Sequence, residues 1–128
     1  MREVRELLGA PSSPQRTTAV ISWFYTPEWD GSVRDSTILG DPNPTREGLR
    51  GHRRVSNGHD ACHKLPRITA PTLVLHGSDD PMTPVENAHL LADRIPNAQL
   101  HVHAGGRHGF FDEFSADLAP LLRGFLDS

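Results

Sequence analysis

The 128-residue chain has one cysteine, little net charge and no long apolar run. A lone thiol, Cys62, cannot close an intrachain disulfide, and a reducing compartment is the simpler expectation. A formal net charge of −3 sets up no strong field to select nucleic acid or an anionic membrane as partner. No stretch approaches membrane-spanning length. The opening Met1-Arg2-Glu3-Val4-Arg5-Glu6 mixes acid with base and lacks an apolar h-region, so it does not read as a secretory signal, and a cytoplasmic location is the default expectation. Internal repeats and low-complexity segments are also missing. Hydrophobic content is 36%, low for a self-contained core, in a length that suits one domain.

The chain changes character near Leu65-Pro66-Arg67-Ile68. Before it, short helices alternate with polar loops. Val4, Leu7 and Leu8 have helical spacing that Gly9 ends, and Thr17 to Tyr25 predicts a helix stopped by Pro27. Gly40-Asp41-Pro42-Asn43-Pro44 reads as a loop, and Thr45 caps a helix running through Leu49 toward Val55. A further short helix is expected around Asp60 to Lys64. After the boundary, Thr72 to Leu75 predicts a strand buried on both faces. Thr83-Pro84-Val85-Glu86 has the form of a capping box before a helix with Val85, Ala88, Leu91 and Ile95 on one face, closed by Pro96. Gln99 to Ala104 alternates like a strand near a sheet edge, with Leu100, Val102 and Ala104 on one side. Leu118, Leu121, Leu122, Phe125 and Leu126 form the stripe of a last helix, which Pro120 should force to begin near Asp117 or to kink. Strand, helix, strand, helix with short loops argues an α/β class with a parallel sheet.

Two side chains stand where parallel sheets gather chemistry, at the carboxyl ends of strands. Asp80 lies just past one strand and His108 just past the next, with room for one helix and one strand between them. Both should open on the same rim. A carboxylate that accepts from one imidazole nitrogen fixes the tautomer and stabilises the imidazolium, leaving the other nitrogen to take a proton from a nucleophile or a water. Asp79, its neighbour in the same loop, is the rival acid.

From about Leu65 onward the chain resembles the C-terminal part of the α/β-hydrolase superfamily. The likeness rests on Leu65-Pro66-x-Ile68-x-Ala70-Pro71-Thr72-Leu73-Val74-Leu75-His76-Gly77, on Gly77-x-x-Asp80-x-x-x-Pro84, on Ile95-Pro96-Asn97-Ala98, and on Gly105-Gly106-Arg107-His108 followed by Phe110 and Phe111. It implies a helical cap-like segment over residues 1–66 and a core segment over 67–128. It also implies Asp80, with the family's offsets from Gly77 and Pro84, rather than Asp79 as triad acid, His108 as triad base, and nucleophile, acid, histidine as the chain order. The expected chemistry is that of a serine esterase or lactonase on a small ester-like substrate, with no metal or organic cofactor. Haloalkane, epoxide, carbon–carbon or amide hydrolysis are alternatives. The family's Gly-x-Ser-x-Gly elbow does not occur: Gly31-Ser32-Val33-Arg34 lacks the second glycine, and Ser78 has glycine at the wrong offset. The expectation is therefore a C-terminal piece of a larger hydrolase, inactive alone, with a complementing N-terminal half as partner. The rival from another class is a non-catalytic fold fragment that persists as a homo-oligomer or interaction module.

Other residues weigh less. Trp23 and Phe24 are candidate substrate-binding residues, although with Tyr25 and Trp29 they equally suit packing between cap and core. His59-Asp60-Ala61-Cys62-His63 mimics a helical metal site but lacks the glutamate and a third ligand. His101 and His103 share a strand face, where packing against a helix or solvation is the simpler reading. Arg46, Arg50, Arg53 and Arg54 suit a solvated helix face, Phe111 and Glu113 a structural role, and Cys62 has no base arrangement that would make it a nucleophile.

Overall fold

A computed structural model describes residues 14–31 and 45–128, with the side chains of 14–17 excepted. The expected helix around Val4 to Leu8, the loop at 40–44 and Ser32 to Arg34 lie outside the described residues. Helix α1 spans Pro14–Phe24. Proline at its first position costs no hydrogen bond, because a first-turn N–H has no intrahelical partner. Helix α2 spans Arg46–Gly58, and the Thr45 hydroxyl accepts from the Gly48 amide at 3.0 Å as the expected cap. None of its residues is buried. Where a short helix was expected at Asp60 to Lys64, the chain instead makes a turn and then a 3-10 turn over Leu65–Arg67. The Asp60 carboxylate accepts from the Cys62 amide at 3.0 Å, the local bond that lets aspartate compete with helix.

Strands β1 (Thr72–Gly77) and β2 (Ala98–His103) pair in parallel, from Thr72 opposite Ala98 to Gly77 opposite His103. Helix α3 (Glu86–Arg94) connects them and packs on both. Its start departs from the expected capping box, for no side chain caps it and Thr83 is engaged elsewhere through its backbone. At its end Pro96 cannot continue the helix, and Asn97 takes a left-handed φ of 60°, one of the few such positions a non-glycine residue fills readily. A short helix α4 (Phe110–Glu113) leads into α5 (Ser115–Leu126). Pro120 lies inside α5 rather than in its first turn, so the expectation that the helix begins near Asp117 is corrected to Ser115.

The core gathers Phe24, Tyr25, Leu65, Val74, Ala88, Ile95, Phe110 and Leu118. In β1 only Val74 and Gly77 are buried, so the strand is not covered on both faces as predicted. With one neighbouring strand, the described sheet does not enclose β1 as a parallel sheet normally does. The alternation expected of β2 is also blurred. Gln99 is exposed, but the remaining positions are half-buried on both sides, and Ala104 falls outside the strand. His103 is the reason on one face: its ring lies 4.2 Å from Phe114 and 6.3 Å from Phe110, between centroids. No helix among the described residues is long and apolar enough to cross a membrane.

Candidate active site

The acid loop follows β1 directly. Gly77 ends the strand because nothing larger fits: a Cβ there would stand 2.2 Å from the Gly106 carbonyl oxygen. The chain then turns, and the Asp80 carboxylate folds back over its own loop. Its Oδ1 accepts from the amides of Met82 at 2.7 Å and Thr83 at 2.9 Å. His76, one residue before the strand's end, donates from Nε2 to the Thr83 carbonyl at 2.9 Å and thereby ties the same loop to β1. That nitrogen also lies 3.7 Å from Asp80 Oδ2, close but beyond hydrogen-bond distance.

The histidine loop follows β2 in the same way. The Asp79 amide donates to the Gly106 carbonyl, and the Ser78 amide to His103, each at 2.9 Å, so the two loops are bonded to each other. Ser78 Oγ closes the junction, donating to Asp79 Oδ1 and accepting from the Gly105 amide at 2.8 Å. This is a structural tie for the serine whose offset had already disqualified it as the elbow nucleophile.

The two loops bring Asp80 Oδ2 to 2.8 Å from His108 Nδ1. The carboxylate side chain is only 4% exposed, while the imidazole is 35% exposed. Burial pushes the Asp80 carboxyl up, but the His108 hydrogen bond and the Thr83 and Met82 amides outweigh it, and the net shift is downward. The acid is thus held ionised. A carboxylate can only accept, so the ring nitrogen that meets it, Nδ1, carries hydrogen, while Nε2 has no hydrogen-bond partner among the described residues. Asp79, the rival acid, is exposed and bonded to Ser78.

Trp23 and Phe24 come to the same place. The Phe24 ring meets the His108 ring edge-on, 5.1 Å between centroids at 86°. The Trp23 carbonyl accepts from the His108 amide at 3.2 Å, and the Phe24 carbonyl from the Gly109 amide at 2.6 Å. Tyr25 is 1% exposed, stacks on Trp29 and donates its hydroxyl to Asp112 at 2.6 Å. Glu113 accepts from both the amide and the hydroxyl of Thr26. The structural role expected of Glu113 thus has a concrete form, a clasp between chain regions far apart in sequence. Phe111 packs on Phe110 but stays 43% exposed.

Among the described residues, none of the remaining candidates bonds to Asp80 or His108. His59 ends α2 and His63 lies in the following turn, both exposed, so they do not share a helical face as their spacing suggested. Among the described residues no cluster of three or more histidine, cysteine or acidic side chains could hold a metal ion. Cys62 is free and exposed. The four arginines of α2 are exposed and distant in the chain from the dyad. Sequence reasoning passed over Arg107 and His76, although both stood inside the motifs. Their roles depend on backbone carbonyls, which no residue pattern displays.

The family model described as "Serine aminopeptidase, S33" matches residues 50–115. A poly(3-hydroxyalkanoate) depolymerase of Ectopseudomonas oleovorans is 48% identical over 69 residues, covering 54% of this chain and 24% of that protein. The human serine hydrolase BPHL is 29% identical over 80 residues, 62% of this chain and 28% of that protein. A pimeloyl-[acyl-carrier protein] methyl ester esterase of Neisseria meningitidis is 29% identical over 108 residues, 81% of this chain and 33% of that protein. The chain therefore spans only about a quarter to a third of the length of these relatives.

Proposed function

Since the chain belongs to the serine aminopeptidase family of α/β-hydrolases, we propose that Asp80 and His108 are the acid and base of a hydrolase that attacks carboxylic esters through a serine. The observation that carries this is the 2.8 Å contact between His108 Nδ1 and a buried, ionised carboxylate. The depolymerase and methyl ester esterase among the relatives favour esters over the haloalkane, epoxide and carbon–carbon alternatives, while the aminopeptidase description of the family makes amide hydrolysis the second reading.

In this reading His108 Nε2 removes the serine hydroxyl proton as the oxygen attacks the ester carbonyl. The imidazolium, stabilised by Asp80, returns that proton to the departing alkoxide. Water then repeats the exchange on the acyl-serine, with His108 again as base and then as acid. The chain holds no Gly-x-Ser-x-Gly elbow, so the serine and the oxyanion donors come from sequence corresponding to the rest of the relatives' length. Residues 67–128 act as the core segment and 1–66 as the cap-like segment, with Trp23 and Phe24 at the substrate side of His108. The protein works in the cytoplasm with a complementing N-terminal region as its partner and needs no metal or organic cofactor for this route.

The test replaces the matched quarter of the depolymerase relative with the 69 residues of this chain that match it and follows hydrolysis of p-nitrophenyl acetate. The isolated chain should not turn over, the chimera should, and His108→Ala should lower the chimera's kcat by about a millionfold. A folded chimera with no turnover, or turnover indifferent to His108→Ala, sinks the proposal and favours a non-catalytic module.

A further inference from the structure

We infer that Arg107 is a positioning residue for His108, and that it acts by gripping the carboxyl end of α1. The inference rests on reading Asp80–His108 as an acid–base pair, but it adds a residue and a mechanism of its own.

The last carbonyls of a helix have no intrahelical partner and carry the negative end of its dipole. The Tyr25 amide takes the Ile21 carbonyl, and the carbonyls from Ser22 to Tyr25, just past the helix end, are supplied from the histidine loop. Arg107 Nη1 donates to the Ser22 carbonyl and, at 3.1 Å, to that of Tyr25. The amides of His108 and Gly109 take the two carbonyls between, Trp23 and Phe24. A cation is the favoured partner at a helix carboxyl end, and one guanidinium nitrogen spanning two carbonyls fixes direction as well as distance.

The consequence reaches the imidazole along two routes. The backbone amide of His108 is held to Trp23, which sets where its side chain starts. The Phe24 ring stands edge-on against the imidazole, which limits rotation of that side chain. Both contacts depend on the register between 22–25 and 107–109, and Arg107 clamps that register at its two ends. Gly109 shows how close the approach is: a Cβ there would meet Tyr25 Cε1 at 2.5 Å and the Phe24 carbonyl at 2.8 Å. Without the guanidinium the two amide bonds remain, but the segment is free to slide and tilt. The Nδ1–Oδ2 bond then loses its fixed geometry.

The test uses the full chain labelled with 15N in histidine, without reference to turnover. Native His108 should show a slowly exchanging Nδ1 proton and the single tautomer that Asp80 imposes. Arg107→Met keeps the aliphatic stem and removes the donors. It should at least halve that proton's signal and mix the tautomers, while amide dispersion and helical circular dichroism stay native. Arg107→Lys keeps the charge but offers no fork. It should exchange the same proton at least tenfold faster, and it decides the matter if the Met variant does not fold. Native exchange rate and tautomer in the folded variants overturn the inference. Failure of the chimera to hydrolyse ester, with these signals altered as described, overturns the ester-hydrolase reading and leaves the positioning role standing.

Discussion

The acid and the histidine are held in opposite ways. Asp80 is fixed by its own neighbourhood, through the amides of Met82 and Thr83 and through His76 on the Thr83 carbonyl, all within the span 76–83. His108 is fixed from far away, by the carbonyls of residues 22–25 and by a phenylalanine ring on a helix at the other end of the chain. The acid loop is also bonded to the histidine loop through Ser78 and Asp79, but the contacts that set Asp80 Oδ1 are local. A loop held by a distant helix holds its geometry only while that helix is docked. The difference makes the histidine the half of the pair that depends on the docking of α1.

The largest effect is expected where the two loops meet. Gly77→Ala would drive a methyl group into the Gly106 carbonyl, and backbone cannot yield as a side chain does. It should cost about 3 kcal/mol, read as a drop in the urea midpoint, and should disturb acid and histidine together. A selective break follows from Tyr25→Phe, which deletes the bond to Asp112 while keeping the buried ring. About 1.5 kcal/mol is expected. Hydrogen exchange at the His108 and Gly109 amides should accelerate, while the Met82 and Thr83 amides stay protected. Equal loss in both sets would erase the contrast between the loops.

The gentlest probe is pH. The Asp80 carboxyl is held below its ordinary value of 3.8 by the His108 bond and the two amides, against the upward push of burial. Such a group binds its proton more weakly folded than unfolded. It therefore adds stability above the ordinary carboxylate range and withdraws it as pH falls through the lowered folded value. Urea midpoints should fall with acidification in that window, and less steeply in Asp80→Asn. An unchanged slope in the variant would mean that the carboxylate is not the group so held.

What could be read in advance follows the same division. Asp80, preferred to Asp79 from its offsets to Gly77 and Pro84, is the carboxylate that meets the imidazole, since a short loop leaves one side chain able to face inward. Thr45 was legible as a cap because its bond to Gly48 is closed within a single helical turn. Thr83 misled for a related reason. Its sequence suits a capping box, yet its amide and carbonyl are drawn into the acid loop and α3 begins later. The interior Pro120 and the uneven burial of β1 and β2 were not legible either. They depend on what packs beside each element, and neither periodicity nor turn chemistry carries that information.

The sequence alone determined that two strands run in parallel across one helix, and that an acid and a histidine leave them at the same rim. Strand periodicity, turn residues and connection length are local properties, and they suffice for that. Only the tertiary structure decided how the imidazole is held. The donors and acceptors responsible are backbone groups and one arginine separated by more than 80 residues. Every residue has a carbonyl, so no pattern of side chains could mark which ones Arg107, His108 and Gly109 would find.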